Sequence, residues 1–146
     1  MPERDPLIGA HFALEVQGVV SAFFSQASGF NNSSEVITHQ AVDAQGRSVI
    51  QKIPGDLTWD DITLNRGITD DLALWDWRQQ VIDGNVTEAR KDGSVIMYNH
   101  AHEEVSRFNF RNGWPSGWKG PDVSSEDQSV AIEEITIAHE GLERVL

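Results

Sequence analysis

The chain has 146 residues, with 23 Asp and Glu against 11 Lys and Arg, a formal net charge of −12 at pH 7 and no cysteine. That length suits one hydrophobic core rather than two, and so acidic a balance argues against a surface that grips nucleic acid, because phosphates need a basic footprint. The lack of cysteine excludes disulfides and thiol nucleophiles and fits folding in a reducing compartment. The opening stretch MPERDPLIGAHFALEV has no long apolar run and carries charges early, so neither a secretory signal nor a membrane-spanning helix is expected, and synthesis is expected in the cytoplasm.

His11 to Gln17 alternates cleanly, with Phe12, Leu14 and Val16 on one face and His11, Ala13, Glu15 and Gln17 on the other, the signature of a half-buried strand. Gly18 interrupts it, and the apolar run from Val19 to Phe24 predicts a second strand folding back and leading to Gly29. A third strand is predicted over Val36 to Val42. The polar tip Asp43-Ala44-Gln45-Gly46-Arg47 then turns the chain into extended residues from Ser48 to Ile53, stopped by Pro54-Gly55, which together form a long hairpin arm. Asp60 to Leu64 resume a strand that Gly67 closes.

One helix stands out. Thr69 is its expected N-cap, Asp70 and Asp71 suit the positive end of the helix dipole, and Leu74, Trp77 and Val81 recur at helical spacing, with Trp75 and Ile82 widening the apolar stripe. Asp83-Gly84 supplies the stop, for a helix of about 13 residues with its Trp pair in the core. Beyond it, Lys91-Asp92-Gly93-Ser94 reads as a hairpin turn between a strand near Val86 to Arg90 and one from Val95 to Tyr98. Phe108 and Phe110 alternate in a further strand. Asn112 to Trp118 is too rich in Gly and Pro for a regular element, and Val130 to His139 is the closing strand. The expected fold is mainly β with one α-helix, in an α+β sense: a small barrel or sandwich of two packed antiparallel sheets with a flanking helix.

The residue clusters that resemble reaction chemistry each lack a required part. His100, His102 and Glu104 would share one face of a strand at a spacing that holds zinc, yet no H-E-x-x-H motif or cysteine ligand supports them, and a hydrated hairpin face is the favoured reading. Glu133 and Glu134 are adjacent and point to opposite faces of a strand, so they cannot flank one glycosidic bond. His139-Glu140-Gly141 has no nucleophile to serve. Asn31-Asn32-Ser33 and Asn85-Val86-Thr87 match glycosylation sequons but read as loop residues. No catalytic residue, cofactor or metal ligand is therefore assigned.

Three stretches carry a resemblance: DPLIGAHFALEVQGVVSAFFSQASGF near the start, IPG followed by ITLNRGITDDLALWDW in the middle, and NGWPSGWKGP with VAIEEITIAHEGL at the end. In this order, across most of the chain, they resemble the tail-tube family of contractile phage tails and phage-tail-like injection systems. The stretch NHAHEEVSR from Asn99 to Arg107 is more charged than the family pattern.

The resemblance implies a single tail-tube domain over residues 1–146, without catalysis. Six copies are expected to form a ring whose β-sheets join around a channel, and rings to stack into a hollow tube inside a contractile sheath. That tube would be driven through a target envelope to deliver DNA or a protein toxin. The implied partners are further copies of the chain, the sheath protein, baseplate and spike proteins, and the cargo, with neither sequence-specific nucleic-acid binding nor stable membrane insertion. The subunit is expected to be made in a bacterial cytoplasm and assembled into a phage tail or phage-tail-like particle, a virion or an injection system that is released from the cell. A tube-to-baseplate adaptor and the secreted ring protein of type VI secretion share the fold and remain alternatives, and outside the family a monomeric ligand-binding β module does.

The hairpin region around Asp43, Gln45, Arg47 and Lys52 matches the part that in the family reaches a neighbouring ring, and Arg47 and Lys52 are expected to meet carboxylates there. Glu15 and Gln17, on the polar face of the first strand, are the expected channel-lining residues. Six copies at −12 carry −72 formal charges per ring. Screening over about 8 Å at physiological salt would confine repulsion of an anionic cargo to the neighbourhood of the wall.

Overall fold

The computed structural model describes residues 11–17, 20–67, 71–121 and 131–146. The expected helix cap at Thr69, and the start of the closing strand at Val130, lie outside the described residues. The chain divides into two units: one takes in residues up to Phe30 and from Asp61 on, and the other is Asn31–Asp60.

The first unit contains β1 (His11–Val16), β2 (Val20–Phe24), β3 (Gln26–Ser28), β6 (Ile62–Gly67), β7 (Lys91–Tyr98), β8 (Glu104–Lys119), β9 (Ile132–Ala138) and β10 (Leu142–Arg144), with helices α1 (Ala73–Ile82) and α2 (Val86–Ala89). All pairings are antiparallel. One sheet runs β2-β1-β7-β8 with β10 on the far side of β8, and the other runs β8-β9-β6-β3. The strand β8 serves both, pairing with β7 from Glu104 to Gly113 and with β9 from Trp114 to Lys119. Leu14, Val16 and Val95 from one sheet and Ile62, Leu64, Ile135 and Ile137 from the other enter a single buried cluster, so the two sheets pack face to face. This is the expected mainly β fold in its sandwich form.

Two turn signals are overruled by packing. Lys91-Asp92-Gly93-Ser94 is not a turn; it opens β7. A Cβ on Gly93 would stand 2.7 Å from the Glu15 carbonyl oxygen and 2.6 Å from the Phe110 ring, so glycine is there to let strands approach and not to reverse the chain. Asn112 to Trp118, expected to be irregular, continues β8. Asn112 takes the left-handed conformation (φ 49°), Phe110 lies 2.4 Å from where a Gly113 Cβ would be, and the register slips between Pro115 and Gly117. A strand that must leave one sheet and join another needs such a bend, and Gly and Pro permit it at a bulge.

Around the helix, the expected strand near Val86–Arg90 is instead the single turn α2, held by the Trp77 indole N–H donating to the Ala89 carbonyl at 2.7 Å. The helix α1 begins with Leu72 as N-cap and spans ten residues, shorter than its sequence pattern predicts. Asp71 accepts the Ala73 N–H at 3.0 Å, and the left-handed Gly84 (φ 89°) ends the helix as expected. Leu74 and Trp77 are buried, whereas Trp75 and Ile82, expected to widen the apolar stripe, are exposed; Trp75 packs edge-on against Trp118 at 4.9 Å. The closing β10 has no signal of its own in the sequence.

One charged pair lies within the core. Arg66 and Glu133 face each other across β6 and β9 with side chains 8% and 10% exposed, and the guanidinium sits 5.4 Å over the Phe24 ring. Hydrogen bonding compensates the cost of burying both charges only while both are present.

The second unit is a two-stranded ribbon, β4 (Asn32–Val42) with β5 (Ser48–Trp59). It runs well past the predicted stop at Pro54-Gly55: Pro54 lies opposite Val36, beside a register shift between Ser34 and Val36, where a missing N–H does no harm.

Glu133→Ala is expected to cost about 3–5 kcal/mol in urea unfolding by stranding Arg66, while the double change Arg66→Met with Glu133→Leu recovers most of it. Gly29→Ala should prevent folding altogether, visible as loss of cooperative unfolding, since its Cβ would lie 1.9 Å from the Asp61 carbonyl oxygen at a φ of +92°.

Candidate assembly surfaces

The hairpin tip is built around Asp43. One carboxylate oxygen accepts the Gln45 and Arg47 N–H groups at 3.0 and 2.8 Å, and the other accepts the Arg47 Nε–H at 3.2 Å. Gly46 takes φ 77° and its N–H donates to the Asp43 carbonyl. Asp43, Gln45 and Arg47 therefore form one closed turn, in which Arg47 is bound to its own hairpin while its side chain stays 75% exposed. Lys52 is not part of that cluster; it stands farther down β5, opposite Thr38, and among the described residues no ion pair engages it.

The ribbon exposes apolar side chains on both faces. Cross-strand pairing puts Ile37, Ile53, Ala41 and Val49 on one side, and Val36, Ile50 and Val42 on the other. Val42 is 71% and Ile50 65% exposed. The sequence showed these residues as strand formers; only the pairing shows that both faces carry apolar side chains.

Glu15 and Gln17 both line an open groove of about 700 Å³ along the outer face of the first sheet, together with Ser94, Arg107, Asn109 and Arg111. Glu15 is exposed on β1 and sits 3.8 Å from Arg107, which also donates to Glu104 at 2.6 Å. The hydrogen bond to Glu104 holds the Arg107 guanidinium above its ordinary pKa; partial burial opposes this, and the charges of Glu104, Glu15 and Tyr98 add to it. This face is thus a mosaic of both signs. Sequence inspection missed Arg107 and Arg111, whose placement depends on the β7–β8 register.

His100 and His102 do not lie on a strand. They occupy a turn shaped by Asn99, whose side-chain oxygen accepts the Ala101 and Glu103 N–H groups at 2.9 Å, and His102 takes φ 60°. The strand geometry required for a shared zinc is therefore lost, and among the described residues no group of three or more His, Asp or Glu side chains is placed to hold a metal. Phe12, Ala27, Phe30, Val95, Met97 and Phe108 line a cleft of about 280 Å³ without a polar side chain to orient a ligand.

The fold has close counterparts among solved structures. A chain of the sheath-tube complex of an extracellular contractile injection system, PVC, in the extended state matches with a TM-score of 0.72 and 22% identity, covering 96% of this chain and 91% of that one. The sixfold-symmetrised baseplate of the anti-feeding prophage contains a match with a TM-score of 0.77 and 15% identity over 98% and 97% of the two chains. Hcp1 from Flavobacterium johnsoniae matches with a TM-score of 0.55 and 18% identity over 92% and 94%. No curated protein matches the sequence. Residues 9–143 match the model of the family described as T4-like virus tail tube protein gp19, and on that match, which spans nearly all of the sequence, the chain belongs to the tail tube family.

Proposed function

We propose that this chain is the structural subunit of the inner tube of a contractile tail or injection system, in which hexameric rings close around a channel and stack into a conduit. The observation that carries the reading is the family match over residues 9–143, on a fold whose sheet edges are unpaired among the described residues and whose ribbon exposes apolar side chains.

Two kinds of contact are required, and the residues offer both. A ring closes when one surface meets a different surface of the next copy through a sixfold rotation, whereas stacking is an open head-to-tail contact. A lone two-stranded ribbon is marginal in water, and the exposed Val36, Val42, Ile50 and Leu57 supply the apolar area for a neighbouring ring to cover. In this reading Asp43 holds the tip in shape through Gln45 and Arg47, and Lys52 meets a carboxylate of the next ring.

Glu15 and Gln17 face the channel. With Arg107 beside Glu15 the wall carries both signs, and its influence on DNA or protein cargo decays over about 8 Å at physiological salt. A contractile sheath encloses the tube, baseplate and spike proteins cap it, and the assembly acts outside the bacterial cytoplasm in which the subunit is made. The tube-to-baseplate adaptor is the second reading, favoured only by the higher TM-score of the baseplate chain.

Negative-stain electron microscopy over a concentration series, paired with mass in solution, is expected to show sixfold rings and hollow tubes. A monomer at every concentration, even with a baseplate initiator, would refute the tube reading, and single rings that never lengthen would favour the adaptor. Val42→Asp with Ile50→Asp should shorten or abolish tubes while leaving rings, with tube length in micrographs as the measure.

A further inference from the structure

We infer that each ring contact is made by the β2 edge of one copy docking on the β10 edge of the next, with Phe23 seated against Val145; this assignment rests on the ring reading above.

The registers define a row across the outer face of the first sheet. Phe23 of β2 is opposite Ala13 of β1, Ala13 opposite Ile96 of β7, and Ile96 opposite Arg107 of β8. The Val145 N–H donates to the Arg107 carbonyl at 2.9 Å and extends the β10 ladder, so Val145 ends the row. Within the row Ala13 and Ile96 are buried, while its two ends are bare: Phe23 is 64% exposed, Val145 47% and the adjoining Leu146 54%. A single sheet that leaves large apolar groups at both ends of one row, and nowhere between, has the form of a repeating unit.

Strand direction agrees. Every step from β2 through β1, β7 and β8 to β10 is antiparallel, so β2 and β10 run the same way. A rotation about the ring axis keeps that direction, and the copies pair their edges as parallel neighbours, which satisfies backbone N–H and C=O groups that an edge strand leaves open.

Phe23 is also held ready for the contact. Its ring meets His11 edge-on at 5.4 Å and Tyr98 at 6.3 Å, and His11 stacks on Tyr98 at 5.2 Å. An aromatic fixed by its neighbours loses little freedom on docking, the property of an interface anchor. The remaining edge, β3, has three residues and exposes no large apolar side chain among those described, which makes it the weaker candidate.

The chain lacks cysteine, so cross-linking reads the edges directly. Phe23→Cys and Val145→Cys are made separately, mixed, assembled and oxidised. The expected result is a covalent dimer on a non-reducing gel from the mixture and from neither variant alone, and a ladder ending at a closed hexamer when both changes are in one chain. Rings seen by microscopy without that bond would overturn the assignment, as would a bond from Val145→Cys to Ser28→Cys on β3. If the unsubstituted protein forms no rings, it is the ring reading that fails. Phe23→Asp provides an independent check: an unchanged far-ultraviolet spectrum with ring dissociation raised on the order of a hundredfold is expected, and undisturbed rings would contradict the proposal.

Discussion

The architecture depends on one strand passing from sheet to sheet. Because β8 pairs with β7 along its first part and β9 along its second, the two sheets cannot be assembled separately, and the bend between them sets how their apolar faces meet. Phe110 is the pivot: fully buried, it presses on the glycine positions of two strands, Gly93 and Gly113. The core is thus organised around a ring that only α-carbons without a side chain leave room for. The buried Arg66–Glu133 pair performs a matching task across β6 and β9, since a one-residue slip there would turn one charge away and leave the other buried alone.

Sequence reading succeeded where burial is one-sided. The alternation in His11–Val16 is the direct imprint of a strand with one face on the core, and Leu14 and Val16 are buried as it requires. It failed where one residue type has two physical uses. Gly93 and Gly113 look like turn residues because glycine tolerates turns, but here they answer a demand for close approach that exists only once distant strands meet. The Val86–Ala89 helix is likewise decided from outside, by the Trp77 indole. For the candidate surfaces, the polar tip from Asp43 to Arg47 and the outward Glu15 were legible. Phe23 and Val145 were not, because being exposed at the two ends of a row is a property of pairing across five strands.

Charge also takes on local meaning that the total of −12 conceals. Acids and guanidinium groups interleave on the outer face of the first sheet, where Arg107 offsets part of the charge of Glu15 and Glu104.

The topology bears on how the chain reaches its fold at all. Pairing β6 with β9 joins residues 67 apart, and contacts of that span carry a loop-closure cost that slows folding. During that interval strand edges and the apolar ribbon are open to chance encounters between nascent chains. In the tube reading the subunit binds copies of itself and has to delay doing so until it is folded, and a strong like charge on every chain opposes premature encounters.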